Sequence, residues 1–155
     1  MAATPRGARS ERRRAAPRID YATLADLRYH IRRFLRSREV AARAAGIEPQ
    51  QYLVLLQLKG LEGRHPPTIG ALAERLQIRH HAAVQLVDRL ARAGMVERRR
   101  HGPDGRAVVV GLRPAGQRML ERLARHALRE LTTEGPSLVA DLQRLIGASS
   151  RARPR

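Results

Sequence analysis

Residues 68–112 read TIGALAERLQIRHHAAVQLVDRLARAGMVERRRHGPDGRAVVVGL. Ile69, Leu72, Ala73 and Leu76 recur at three- and four-residue spacing and mark a short helix. A tight turn near Gln77 and Ile78 leads into a second helix, His80 to Ala93. Its buried stripe is Val84, Val87, Leu90 and Ala91, and Gly94 ends it. Two β-prone runs then flank Gly102-Pro103-Asp104-Gly105, a pattern that predicts a hairpin.

Two short helices joined by a tight turn form a helix-turn-helix unit, and a major groove is wide enough to admit the second of them. The residues expected to meet DNA there are Arg79, His80, His81, Ala82 and Gln85, with Arg89 one turn on. Gln pairs with adenine edges, and Arg with guanine edges or phosphate. The hairpin carries Arg98, Arg99, Arg100, His101 and Arg106 around a projecting Gly-containing tip. Such a tip suits a narrow minor groove, where the negative potential is enhanced. Asp104 is no phosphate ligand; its expected role is to fix the turn and orient Arg106.

Outward from this unit the chain is helical. Leu24, Leu27, Ile31, Phe34 and Leu35 give one apolar face to a helix over about 20–44, which Gly46 stops. Pro49 suits the first turn of a second helix to Leu61, with Glu48 at its positive end. That helix, with Tyr52, Leu53, Leu55, Leu56 and Leu58, is apolar nearly all round and belongs in the core. After the hairpin, Pro114 opens a long helix with Met119, Leu120, Leu123, Ala127 and Leu131 on one face. Gly135-Pro136 predicts a break, followed by a last helix over about 137–146. The fold class expected is mainly α with a small β-hairpin wing. Residues 1–18 are a basic arm, 19–147 the folded domain with its DNA-binding lobe at about 49–113, and 148–155 a basic tail.

The first helix and the last two hold more apolar surface than one small domain buries. Leu24, Leu27, Ile31, Leu138, Leu142 and Ile146 are therefore expected to meet a second copy, making a homodimer.

Composition points the same way. The formal charge is +17, and Lys59 is the one lysine among 31 basic residues. So large an excess favours a polyanionic partner, here double-stranded DNA. Without cysteine there is no disulfide, thiolate metal site or thiol redox switch. No secretory core or membrane span is evident, so a cytoplasmic chain is expected, with no membrane partner. No phosphate-cradling loop, nucleophile motif or metal-ligand spacing argues for an enzyme, a metal or a cofactor. His80 and His81 are adjacent and diverge on a helix, and His126–Glu130 reads as a surface pair. The alternative reading is a protein that binds nucleic acid without sequence preference. Single-strand binders of that kind need aromatic stacking surfaces, and this chain has three Tyr, one Phe and no Trp.

The motifs Ile69-Gly-Ala-Leu-Ala-Glu-Arg-Leu, Leu86-Val-Asp-Arg-Leu, Gly94-Met-Val-Glu-Arg and Pro103-Asp-Gly-Arg-Ala resemble the multiple-antibiotic-resistance regulator (MarR) family in order and spacing. The resemblance spans about residues 20–147. It implies that the helix with Leu86-Val-Asp-Arg-Leu is the recognition helix, that Asp104 and Arg106 are wing residues, and that the terminal helices make a dimer. This sequence has Arg79 and Arg113 where relatives often carry Ser or Thr caps, and Gly105 in place of a wing Arg. The resemblance also implies a ligand-responsive repressor with a cavity for a small aromatic or phenolic effector between the dimer helices and the DNA-binding lobe. Tyr29, His30, Arg33 and Tyr52 are the candidates for polar groups there.

Overall fold

The computed structural model describes residues 19–102 and 107–151. Helix α1 (Tyr21–Ala44) starts at Asp20, whose carboxylate accepts from the Thr23 N–H at 2.9 Å and from its hydroxyl at 2.6 Å. Those two bonds favour the ionised form and hold the Asp20 carboxyl below its ordinary value. Gly46, at φ 80°, supplies the left-handed turn out of α1. Helix α2 (Pro49–Leu61) opens on Pro49, and the Glu48 N–H donates to Gln51 Oε1 at 3.1 Å.

Helix α3 (Ile69–Leu76) is capped by Thr68, whose hydroxyl accepts from the Ala71 N–H. Gln77 takes the left-handed conformation, φ 54°, and turns the chain into α4 (His80–Arg92). Strands β1 (Val96–His101) and β2 (Ala107–Leu112) pair antiparallel, with Val96 opposite Leu112 and His101 opposite Ala107. Thr68 bridges to Val109, and the Val110 N–H donates to Pro67 O, so the loop before α3 extends the sheet edge. Helix α5 (Pro114–Arg151) completes the chain.

The core is aliphatic and centred on α2, as its all-round apolar pattern predicts. Val54, Leu55 and Leu58 meet Leu72 of α3, Val87 and Leu90 of α4, Val96 and Val110 of the strands, and Leu120 and Leu123 of α5. Leu56 departs from that expectation and is exposed. On α4 the buried set is Ala83, Val87 and Leu90, while Val84 and Ala91 are only half-buried.

The expected break at Gly135-Pro136 does not occur, because α5 runs through Pro136. Proline removes one backbone donor and crowds the preceding turn, at about 3 kcal/mol in a free helix. Here α1 grips α5 on both sides of the lesion. Arg38 pairs with Glu130, and Arg33 Nε lies 3.0 Å from Glu134 Oε1. Beyond the proline, His30 Nδ1 lies 2.7 Å from Asp141 Oδ2. The Thr132 and Thr133 hydroxyls also donate to the carbonyls of Arg129 and Glu130. The same helix continues to Arg151, into the stretch expected to be a basic tail. At Pro136 the sequence-local breaking signal yields to long-range pairing.

The α1 face expected to be buried is covered only in part within one chain. Phe34 and Leu27 are half-buried, whereas Leu24, Ile31 and Leu35 are exposed, as are Leu142 and Ile146 of α5.

Candidate nucleic-acid interface

The positions of α4 that do not enter the core define a polar surface. Core packing takes Ala83, Val87 and Leu90, so His80, His81, Gln85 and Arg89 are left exposed and Ala82 half-buried. Arg79 is the N-cap residue and is exposed, and it makes no side-chain capping bond. An arginine cannot accept from the free N–H groups of the first turn. Those donors and the positive end of the helix therefore stay open beside the His pair.

The hairpin begins two residues after the α4 C-terminal turn. Its register puts Arg98 opposite buried Val110 and Arg100 opposite exposed Val108, so these arginines share the face turned toward α4. Arg98 Nη1 lies 2.6 Å from Asp88 Oδ1 of α4. Arg99 is on the opposite face and pairs with Glu97, which also has Arg113 Nε at 3.8 Å. Arg100 and His101 are exposed toward the tip. Asp104 and Arg106 lie outside the described residues.

Arg98 is thus not a free cation, and Asp88, which the sequence reading left unassigned, is its partner. The signal was present in Leu86-Val-Asp-Arg-Leu, where Asp88 directly follows buried Val87 and sits half-buried. Asp88 is also the sole acid on α4, and its pairing leaves that surface without an unmatched negative charge to oppose a polyanion.

The four effector candidates are not brought together. A cavity of about 570 Å³ opens between α1, α2 and α5, walled by Phe34, Leu35, Tyr52, Leu53, Leu56 and Leu131. Of the four, only Tyr52 lines it. His30 and Arg33 are engaged with Asp141 and Glu134 farther along α5, and Tyr29 is exposed beside the His30 ring at 5.4 Å. Helical phase accounts for the split: His30 and Arg33 face the later part of α5 and Tyr29 faces solvent, while Phe34 and Arg38 reach the cavity. Sequence reasoning missed Arg38, which packs over the Phe34 ring at 4.1 Å and donates to Ala127 O. Burial lowers the Arg38 pKa and raises that of the Tyr52 phenol, each opposed by the other's charge.

Among the described residues no helix is long and apolar enough to cross a membrane, and no His, Asp and Glu cluster has the makings of a metal site. His126 Nε2 lies 3.3 Å from Glu130 Oε1 as a helix-surface pair.

Residues 45–107 match the MarR family. The fold is similar to a MarR family protein from Bacillus stearothermophilus, with 26% identity and TM-score 0.59 over 75% of this chain and 81% of that one. It is similar to wild-type MarR in its apo form from E. coli, with 24% identity and TM-score 0.62 over 84% and 96%. It is also similar to a Staphylococcus aureus MepR mutant bound to an oligodeoxyribonucleotide, with 18% identity and TM-score 0.62 over 84% and 99%. No curated protein matches. The helix-turn-helix and the first hairpin strand thus fall within the stretch that matches the MarR family, and the architecture along most of the chain is similar to that of solved MarR family winged helix regulators.

Proposed function

We propose that the protein is a homodimeric, sequence-specific double-stranded DNA-binding repressor that reads a pseudo-palindromic operator and is released by a small aromatic or phenolic ligand. The observation that carries the reading is the pairing of an open-ended α4, exposing His80, His81, Gln85 and Arg89, with an arginine-bearing hairpin anchored to it through Asp88 and Arg98. A helix of this kind fills a major groove, and the hairpin reaches the adjacent minor groove. Gln85 is the adenine reader, Arg79, Arg89, Arg99 and His101 engage phosphates or base edges, and Arg106 enters the minor groove with Asp104 setting its turn.

Dimerisation is supported by the apolar residues that one chain leaves bare on α1 and α5. Leu24, Ile31, Leu128, Val139, Leu142 and Ile146 are all exposed, a larger apolar surface than a stable monomer ordinarily shows. A two-fold arrangement of two α4 helices reads half-sites about 34–36 Å apart.

Ligand release is supported by the α1–α2–α5 cavity, whose largely apolar walls, with the Tyr52 phenol among them, suit an aromatic ring. Because those three helices join the dimer face to the DNA lobe, a ligand that prefers one spacing of the α4 helices shifts DNA affinity by its preference.

Selection of bound duplexes from a random pool tests the function. Enrichment of an inverted repeat with half-sites one turn apart is the expected result. Recovery of DNA with no common sequence would replace this reading with non-sequence-specific binding.

A further inference from the structure

The first half of α5 carries Arg118, Arg122, Arg125 and Arg129, all exposed. Their spacing of four, three and four residues keeps the four side chains within an arc of about 60° of the helix surface. The opposite side of the helix holds Leu120 and Leu123, which enter the core, and Gly116, which abuts Met95. The stripe therefore lies on the solvent side of the helix, with Arg122 and Arg129 at its edge toward α1.

Among the described residues, Arg118, Arg125 and Arg129 have no carboxylate partner, in contrast to Arg33, Arg38, Arg98 and Arg99. Arg122 donates to the Ala45 carbonyl at 3.1 Å, closing the C-terminus of α1. Exposed apolar Leu128 and Leu131 lie to one side of the stripe, about 90° and about 150° from its centre, so a partner subunit covering them approaches from that side.

We propose that this stripe is a second polyanion surface, distinct from α4 and the wing tip, that lies along the phosphate backbone of the DNA flanking the operator. Three observations select a nucleic-acid backbone. From Arg118 to Arg129 the helix advances about 16.5 Å. Over that length of duplex axis each DNA strand presents about five phosphates, enough partners for four guanidinium groups. The flanking positions Gln117, Glu121, His126, Thr132 and Thr133 are polar, and Leu128 is a single exposed apolar neighbour among them, too little for a bilayer wedge. The surface is also continuous with the wing, because Arg99 and Arg113 line one cleft with Gln117, next to Arg118. Arginine, which grips phosphate with two parallel donors, is the fitting residue.

The inference rests on the DNA-binding reading above, and the test separates the two. Full-length protein is titrated by fluorescence anisotropy with a 40-bp mixed-sequence duplex at a series of KCl concentrations. Arg125→Gln/Arg129→Gln is compared with Arg28→Gln/Arg32→Gln, an α1 pair that is exposed, equally unpaired and equal in charge loss. Each phosphate neutralised contributes about 0.9 to the slope of log affinity against log salt. In a dimer the stripe pair removes four arginines and is expected to lower that slope by about 3.6 and to weaken binding several-fold or more, with the α1 pair leaving the slope as in the wild type. Equal slopes in wild type and stripe variant, or equal losses in both pairs, would overturn the stripe as a backbone contact. So would loss of binding to phosphatidylglycerol vesicles alone, with DNA binding intact. Failure of the wild type to bind the duplex at all would instead defeat the DNA-binding reading itself.

Discussion

Asp88 of α4 holds Arg98 of β1 at 2.6 Å. The bond joins the two parts of the proposed DNA reader across the α4–β1 connection. Both side chains are a little over a third exposed, so the pair adds little to global stability. Its effect is positional. Asp88→Ala is expected to leave the melting temperature within about 2 °C of wild type while weakening operator binding three- to tenfold, since the wing loses its fixed angle to α4. Parallel thermal melts and anisotropy titrations check this. Unchanged affinity with unchanged stability would show that the pair positions nothing.

Gly116 reports on a different junction. A Cβ built there meets the Met95 carbonyl oxygen at 2.2 Å, and the Arg113 N–H donates to that same oxygen at 2.9 Å. The first turn of α5 thus sits directly on the link between α4 and the wing. Gly116→Ala removes a helix-interior glycine, a change worth up to about 1 kcal/mol of gain elsewhere. Here the backbone clash outweighs that gain, and a net loss of about 1–3 kcal/mol is expected in chemical denaturation.

Two substitutions separate specificity from affinity. Gln85→Ala is expected to relax the base preference at one position of each half-site, by about 1–3 kcal/mol if the contact is bidentate. Arg106→Ala is expected to weaken binding to all sequences nearly equally, because backbone and groove contacts position without reading. Competition of selected and singly altered duplexes against each variant distinguishes the two patterns.

The bare apolar face of α1 and α5 predicts that dimerisation and folding are coupled. Leu142→Glu, in the middle of the exposed set, is expected to yield monomer or unfolded chain at low micromolar concentration in sedimentation velocity. A wild-type-like dimer in that variant would place the subunit contact elsewhere.

The Asp20 cap gives stability a pH dependence. Its carboxyl is lowered from 3.8 by the two Thr23 bonds, so the folded state binds its proton less readily than the unfolded chain. The contribution is present above pH ~4 and is lost as pH falls through the lowered folded value. Asp20→Asn is expected to remove that acid-dependent component, seen as a shallower fall in melting temperature on acidification.

The helix-turn-helix was legible because its signals are local: the Ile69, Leu72 and Leu76 spacing and the apolar stripe through Val87 and Leu90. The hairpin was legible from Gly102 and the β-prone runs beside it. What failed depended on partners distant in sequence. Pro136 reads as a stop, but the Arg33–Glu134 ion pair and the His30–Asp141 hydrogen bond, from residues about a hundred positions earlier, hold α5 together across it. Arg98 reads as a free cation until the fold brings Asp88 to it. Tyr29, His30 and Arg33 share a helix with the cavity wall, yet their azimuth, which depends on where α5 lies, turns them away from it.

The central claim is that two copies of this chain recognise one DNA sequence. The most direct measurement is the mass and stoichiometry of the complex formed with the selected duplex under a hundredfold excess of mixed-sequence competitor. The account predicts one duplex carrying two chains, surviving the competitor and protecting two half-sites about one helical turn apart. Displacement by competitor in proportion to its concentration, or a complex of one chain per duplex, would contradict it.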